Sequence, residues 1–215
     1  MIRHPVQPLK DWRKVLRAAN HVIANPAEAI RWLRFSVFSR KEPLDLCVPW
    51  WSFKAVESIT GVLKPTAKVF EFGSGGSSIF MAGRVGTLDS VEDSPIWADK
   101  VRARLQSRAL HNATIHLRPF DFRESAAFTS SEYLRTLQAH DFDLIIIDGS
   151  EYSKPVRDAC FWKAEQHLKP GGVIVLDDSW RYPQVFTKNS ARKVERHKGL
   201  GYCRLGVTET TIFYY

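Results

Sequence analysis

The sequence predicts an α/β fold: a doubly wound, mostly parallel sheet with helices on both faces, preceded by a helical extension. Three observations support this. From residue 67 onward, short apolar runs alternate with helical stretches, the order that builds parallel strands joined by crossover helices. Residues 144–147 (Leu-Ile-Ile-Ile) form an uninterrupted apolar run, as a strand buried on both faces requires. Residues 67–81 pass from a β-type segment through Gly73-Ser-Gly75-Gly76 into a helix that opens at Ser77-Ser78. Such a turn lets the main chain approach a ligand closely, because glycine has no Cβ, and the new helix offers unpaired N–H groups.

Each element follows from local pattern. Strands are expected over 68–72, 87–91, 114–118, 143–148 and 172–177, with helices over 77–84, 95–108, 130–139 and 154–168. After Asp178 a polar, basic stretch over 181–199 leads to 201–206 and 210–215, two closely spaced strands that predict an antiparallel pair at the sheet edge. Trp50-Trp51-Ser-Phe53 starts a helix that Gly61 and Pro65 stop near residue 63, and residues 43–49 read as a linker. Residues 9–41 are helical and basic, broken at Asn25-Pro26, where Asn25 is placed to cap and Pro26 to occupy the first helical position. There Ile30, Leu33 and Val37 recur at helical spacing, widened by Trp32, Phe35 and Phe38. That apolar face either packs on the main domain or lies on an anionic membrane. The organisation expected is a basic helical extension over 1–48 and a Rossmann-like domain over 49–215.

Composition excludes several classes. Hydrophobic residues at 44% and charged residues at 25% suit a globular chain rather than a disordered one. Cys47, Cys160 and Cys203 form no CxxC pair, so neither a disulfide framework nor a zinc site is indicated. The first ten residues lack an apolar h-region and no run reaches the length of a transmembrane helix, so a cytoplasmic location is expected. The net charge of +8 favours anionic partners, which leaves nucleic acid, an acidic membrane and an anionic small molecule all open.

In a sheet of this kind ligands bind at the carboxyl ends of the strands. Four of the predicted strands end on acids: Glu71, Glu92-Asp93, Asp148 and Asp177-Asp178. Glu92 lies 19 residues after Gly73, the offset at which a carboxylate can accept from both hydroxyls of a ribose. Beyond the third strand, Asp121 is a candidate acceptor for an adenine amino group, and Phe122 a candidate ring to flank it.

The ordered pieces Val69-Phe-Glu71-Phe-Gly73-Ser-Gly75-Gly76, Ser90-Val-Glu92-Asp93, Phe142-Asp-Leu-Ile-Ile-Ile-Asp148-Gly149 and Leu168-Lys-Pro-Gly-Gly-Val-Ile-Val-Leu-Asp177-Asp178 resemble class I S-adenosylmethionine-dependent methyltransferases, over roughly residues 50–215. The resemblance implies a seven-stranded sheet with an antiparallel last strand. It also implies a cofactor site built from Glu71, Gly73, Ser74, Gly75, Gly76, Ser77, Ser78, Glu92, Asp93, Asp121, Phe122 and Asp148. The turn lacks the third glycine of GxGxxG, which argues against a dinucleotide. The Asn/Asp-Pro-Pro-aromatic motif of the adenine and cytosine amino-methylating type is absent after the fourth strand, where Asp148-Gly-Ser-Glu-Tyr152 stands.

Within the family, Asp148 followed by Asp177-Asp178 is similar to the catechol and caffeoyl-coenzyme A O-methyltransferases. That likeness implies O-methylation of a small molecule or glycan, with Asp148 and Asp177 as catalytic groups. It also implies a Mg²⁺ or Ca²⁺ site at Asp148, Asp177 and Asp178, although Asp178 stands where the family has asparagine and the lysine expected near the acceptor is not identifiable. Trp50, Trp51 and Phe53, and Trp180-Arg181-Tyr182, are candidate walls of the acceptor pocket, and Arg181 a candidate anchor for an anionic acceptor group. The five histidines from His111 onward show no pairing pattern and read mostly as surface residues. The alternatives carried forward are an RNA methyltransferase, which the basic charge would suit, and a non-catalytic cofactor-binding or membrane-associated protein.

Overall fold

The alternation of apolar side chains along the central strands assigns every second residue to the same face, and the structure fills both faces. In the computed structural model, which describes residues 12–39, 41–123, 125–150 and 155–215, β1 (Lys68–Phe72), β2 (Thr87–Glu92), β3 (Ala113–Leu117), β4 (Phe142–Ile147), β5 (Leu168–Asp177), β6 (Lys193–Gly199) and β7 (Thr208–Tyr214) form one sheet. Their order is β3-β2-β1-β4-β5-β7-β6, parallel except that β7 runs antiparallel to both its neighbours. Val69, Leu144, Ile146 and Val175 pack on one face against Val56, Ile59, Met81 and Val101. Phe70, Phe72, Ile145, Ile147, Ile174 and Leu176 pack on the other against Leu134, Phe161 and Val185. The strand order turns back between β1 and β4, so the crevice outside their carboxyl ends is where such a sheet binds ligands.

Helices α1 (Trp12–Ala24) and α2 (Pro26–Trp32), the latter running on into a π-helical turn over Leu33–Val37, precede α3 (Pro43–Leu46) and α4 (Phe53–Val62). Then come α5 (Gly76–Ala82), α6 (Pro95–Ser107), α7 (Glu132–Arg135), α8 (Pro155–Glu165) and α9 (Pro183–Lys188). Ser52, Ser94 and Ser131 cap α4, α6 and α7 by accepting from main-chain N–H groups. Pro26 does occupy the first turn of α2, but the Asn25 side chain donates back to His21 O (3.2 Å) instead of capping.

Four further expectations need correction. The strand that pairs with β7 is Lys193–Gly199, not 201–206. It is an edge strand whose charged side chains reach solvent, so no apolar alternation marks it. The helix expected over 130–139 is only α7, preceded by a 3-10 turn over Ser125–Ser130. His167, read as a surface residue, is buried and stacks on His140 at 4.4 Å between ring centroids. Residues 43–49 are no free linker, since α3 lies against the start of α5.

That last contact is tight enough to test. A Cβ on Gly76 would overlap the carbonyl oxygens of Pro43 and Val48. Gly76→Ala is therefore expected to destabilise the fold by about 1–3 kcal/mol. Gly61→Ala, in α4 with nothing near the added methyl, is expected to stabilise by about 0.5–1 kcal/mol. Thermal denaturation of the two variants checks both signs.

Candidate active site

The glycine turn after β1 is held from below by Glu71. Its buried carboxylate accepts from the hydroxyls of Ser77, Ser78 (2.6 Å) and, across the sheet, Ser90 (2.8 Å). Ser78 Oγ in turn accepts from Gly75 N (2.9 Å), so one carboxylate sets the shape of the turn. Burial raises the Glu71 pKa, and the three hydroxyls offset this only in part. Gly73 adopts φ +96°, and a side chain there would press within 2.9 Å of Asp148 O, so β1 and β4 end against each other only because residue 73 is glycine.

Glu92 closes the turn from the β2 side. Its carboxylate accepts from Ser74 Oγ (2.7 Å) and from Ser94 N (2.9 Å). Burial lifts its pKa to about 7. Asp93 beside it accepts from Ser150 Oγ (3.0 Å) and is likewise raised by burial. The Trp97 indole donates to Ser74 O (2.6 Å), fixing the one turn residue whose side chain faces Glu92. Below Gly149, the buried Tyr133 hydroxyl has no hydrogen-bond partner among the described residues, and a Cβ on Gly149 would meet it at 2.5 Å.

At the ends of β4 and β5 three aspartates meet three arginines. Asp148 accepts from the Trp51 indole (3.0 Å) and lies 3.4 Å from Arg157 Nη2. Burial and the nearby Asp177 raise its pKa well above the usual carboxylate range. Asp177 accepts from Thr210 Oγ1 (2.6 Å), and burial raises it to about 6 against the pull of Arg204. Asp178, left-handed at φ 49°, pairs with Arg204 (3.0 Å) and Arg181 (3.5 Å) and accepts from Thr208 (2.8 Å). These partners overcome burial and lower its pKa. The Arg204 guanidinium lies over the Trp50 ring (4.6 Å) and that of Arg181 over Trp180 (5.0 Å), and both tryptophans are exposed.

Arg157, in α8, and Arg204, in the turn before β7, carried no signal in the sequence. Arg157 is buried and donates to Gly149 O (2.6 Å) and Asp177 O (2.8 Å), tying the ends of β4 and β5 together. With three guanidiniums paired to them, the three aspartates as arranged do not fit a divalent ion. Among the described residues no cluster of His, Cys, Asp or Glu is arranged to hold one, so the Mg²⁺ or Ca²⁺ expectation gains no support there. Glu151 and Tyr152 of the motif after β4 lie outside the described residues.

Other expected residues are placed differently from one another. Asp121 is exposed and forked by Arg123 (2.8 and 2.6 Å), which holds its pKa down to about 2. Phe122 is buried among Phe120, Phe128 and Tyr133. Trp51 touches Asp148, whereas Phe53 and Tyr182 are core residues and not pocket walls. Two surface hollows, one lined by residues 82–85 and one between α3 and α6 where Glu42, Asp45, Lys100 and Arg104 stand, include none of the acids at the ends of β1, β2, β4 and β5.

The fold has solved counterparts. A Klebsiella pneumoniae protein named as a candidate O-methyltransferase superposes with a TM-score of 0.58 at 18% identity, covering 94% of this chain and 98% of its own. The O-methyltransferase TomG of Streptomyces achromogenes, involved in tomaymycin synthesis and solved with S-adenosylmethionine, gives 0.56 at 17% identity, with 93% and 96% covered. An rRNA methylase of Streptococcus thermophilus gives 0.56 at 12%, with 82% and 98% covered. At these identities the likeness is one of fold. No curated protein matches the chain. A family model described as a methyltransferase domain matches residues 70–179, just over half of the 215 residues, and the chain belongs to that family.

Proposed function

We propose that the protein transfers a methyl group from S-adenosylmethionine to an oxygen of a small molecule or glycan. The observation that carries the donor half is Glu92, a buried carboxylate facing the glycine turn with a pKa of about 7. It accepts from Ser74 and Ser94, yet is short of donors for its charge. Two ribose hydroxyls would supply them. The Tyr133 hydroxyl nearby, without a partner among the described residues, is a second polar group that a nucleoside would satisfy. The main chain of residues 73–76 would then face the amino-acid end of the donor, and Asp93 would lie beside the ribose. Asp121 would have to release Arg123 to reach an adenine.

S-adenosylmethionine, when bound, supplies a methyl on a sulfonium that needs no activation. The chain therefore has to orient the acceptor, exclude water and take a proton. Asp148, its pKa raised by burial and Asp177, suits a base for an acceptor hydroxyl, oriented by Trp51 and Arg157. Trp50 with Arg204, and Trp180 with Arg181, would flank the incoming acceptor.

Transfer to hydroxylated small molecules and glycans, followed with labelled donor, tests the reading. Activity is expected to survive a chelator within about twofold, because arginines take the place of a metal among the aspartates, and Asp148→Asn is expected to lower turnover by about 10²–10⁴-fold. The +8 charge favours a second reading, RNA as acceptor. Tight RNA binding with a steep salt dependence, and no transfer to small hydroxyl acceptors, would replace the first reading with it.

A further inference from the structure

The N-terminal helices pack Ala18, Val22, Trp32 and Phe35 on the domain and leave a second set of apolar side chains exposed. Towards the domain, Trp32 Nε1 donates to Arg204 O (2.9 Å), Ser36 Oγ to Gly201 O (2.8 Å) and Arg31 Nη2 to Tyr202 (3.1 Å). Ala18 packs with Phe53 and Leu200, and His21 bonds Glu28 (2.8 Å) at the buried junction. On the opposite side Leu16, Ile23, Ile30, Leu33, Val37 and Phe38 are exposed, with Ile23, Ile30 and Phe38 at 79, 74 and 77%. Those last values are too high for residues that merely edge a core, and six such side chains within residues 16–38, spread over α1, α2 and the π turn, exceed ordinary scattered exposure.

The charge around the patch indicates what covers it. Residues 12–41 contain seven Arg or Lys and one acid, Glu28, which is buried against His21. Arg17, Arg34 and Lys41 are exposed beside the apolar run. A second copy seated on this face would set these cations against their own counterparts with no acid to answer them. A surface that is apolar below and anionic above satisfies both sets of groups at once. No helix of the described residues is long and apolar enough to cross a membrane, so contact would be from the side. We propose that the outward face of α1, α2 and the following π turn docks on an anionic lipid bilayer. The helices rest on the turn over 201–204, which also carries Arg204, so docking holds the acceptor end of the site by the same segment.

Co-sedimentation of the full chain with phosphatidylcholine vesicles, with and without phosphatidylserine, tests this. Binding is expected to the mixed vesicles and to fall at least about tenfold on pure phosphatidylcholine. The double variant Ile30→Asp, Phe38→Asp is expected to lower binding by about a hundredfold, and Arg34→Ala by about fivefold. Both variants should keep the melting temperature and S-adenosylhomocysteine affinity of the parent, since none of these side chains touches the core or the strand ends. Equal binding to both vesicle types overturns the proposal. So does no binding at all, or a dimer in solution that Ile30→Asp dissociates, which would assign the face to a second copy.

Discussion

Arg157→Ala is expected to destabilise the fold by about 3–5 kcal/mol. The guanidinium is buried, bonds the carbonyls of Gly149 and Asp177, and sits 3.4 Å from Asp148. Removing it leaves two carbonyls without donors and brings the Asp148 and Asp177 carboxylates together with one cation fewer. Asp148, already raised by burial and by Asp177, would then hold its proton more firmly. Arg157→Lys is expected to recover only part of the loss, because one ammonium cannot reproduce a fork that spans two strand ends. Urea unfolding followed by tryptophan fluorescence measures both variants. A loss under about 1 kcal/mol for Arg157→Ala would show that the strand ends hold without this cross-link.

Glu92 carries the second large effect, and its sign depends on what is measured. Its pKa in the folded chain is about 7, above the ordinary 4.5, because burial disfavours the charge. Its contribution to folding stability is therefore fully present below about pH 4.5 and lost as pH rises through about 7. Ligand binding runs the other way, since hydroxyl donors need the ionised carboxylate. Affinity for S-adenosylhomocysteine is expected to fall by up to about tenfold per pH unit below 7 and to level off above it. Glu92→Gln is expected to weaken binding by about a hundredfold at pH 8, the worth of two hydrogen bonds to a charged group. The variant should also flatten both pH profiles. Calorimetry across pH 5.5–8.5 (conditions on the order of the titration range) separates these outcomes, and an unchanged pH profile in Glu92→Gln would remove Glu92 from the donor site.

The parts of the molecule legible in the sequence are those where local pattern and burial agree. Residues 144–147 read as a doubly buried strand because the run is short, apolar throughout and rich in β-branched residues, and the structure places Ile145 and Ile146 on opposite faces of β4. The glycine turn was legible because strand, glycines and helix start are contiguous. β6 was not, because an edge strand with charges facing solvent has no hydrophobic period to detect. Arg157 and Arg204 escaped notice for another reason. Their roles arise only when α8 and the turn before β7 come back to the strand ends, and a lone arginine carries no spacing. Asp121 is a different case: its position after β3 suggests a contact with an adenine, and nothing in the sequence signals that Arg123, two residues on, pairs with its carboxylate. Helical spacing revealed the apolar stripe of residues 30–38, yet periodicity gives a face and no direction, and here Ile30, Leu33, Val37 and Phe38 face out while Trp32 and Phe35 lie against the domain.

In the function proposed, the turn over residues 73–76 and Glu92 form one binding site for a methyl donor at the ends of β1 and β2. Titration of the full chain with S-adenosylhomocysteine at pH 8, by calorimetry, tests it most directly. Saturable binding of one molecule per chain is expected, with no comparable heat from a nicotinamide dinucleotide. Absence of binding at millimolar S-adenosylhomocysteine by a chain that remains folded would contradict it.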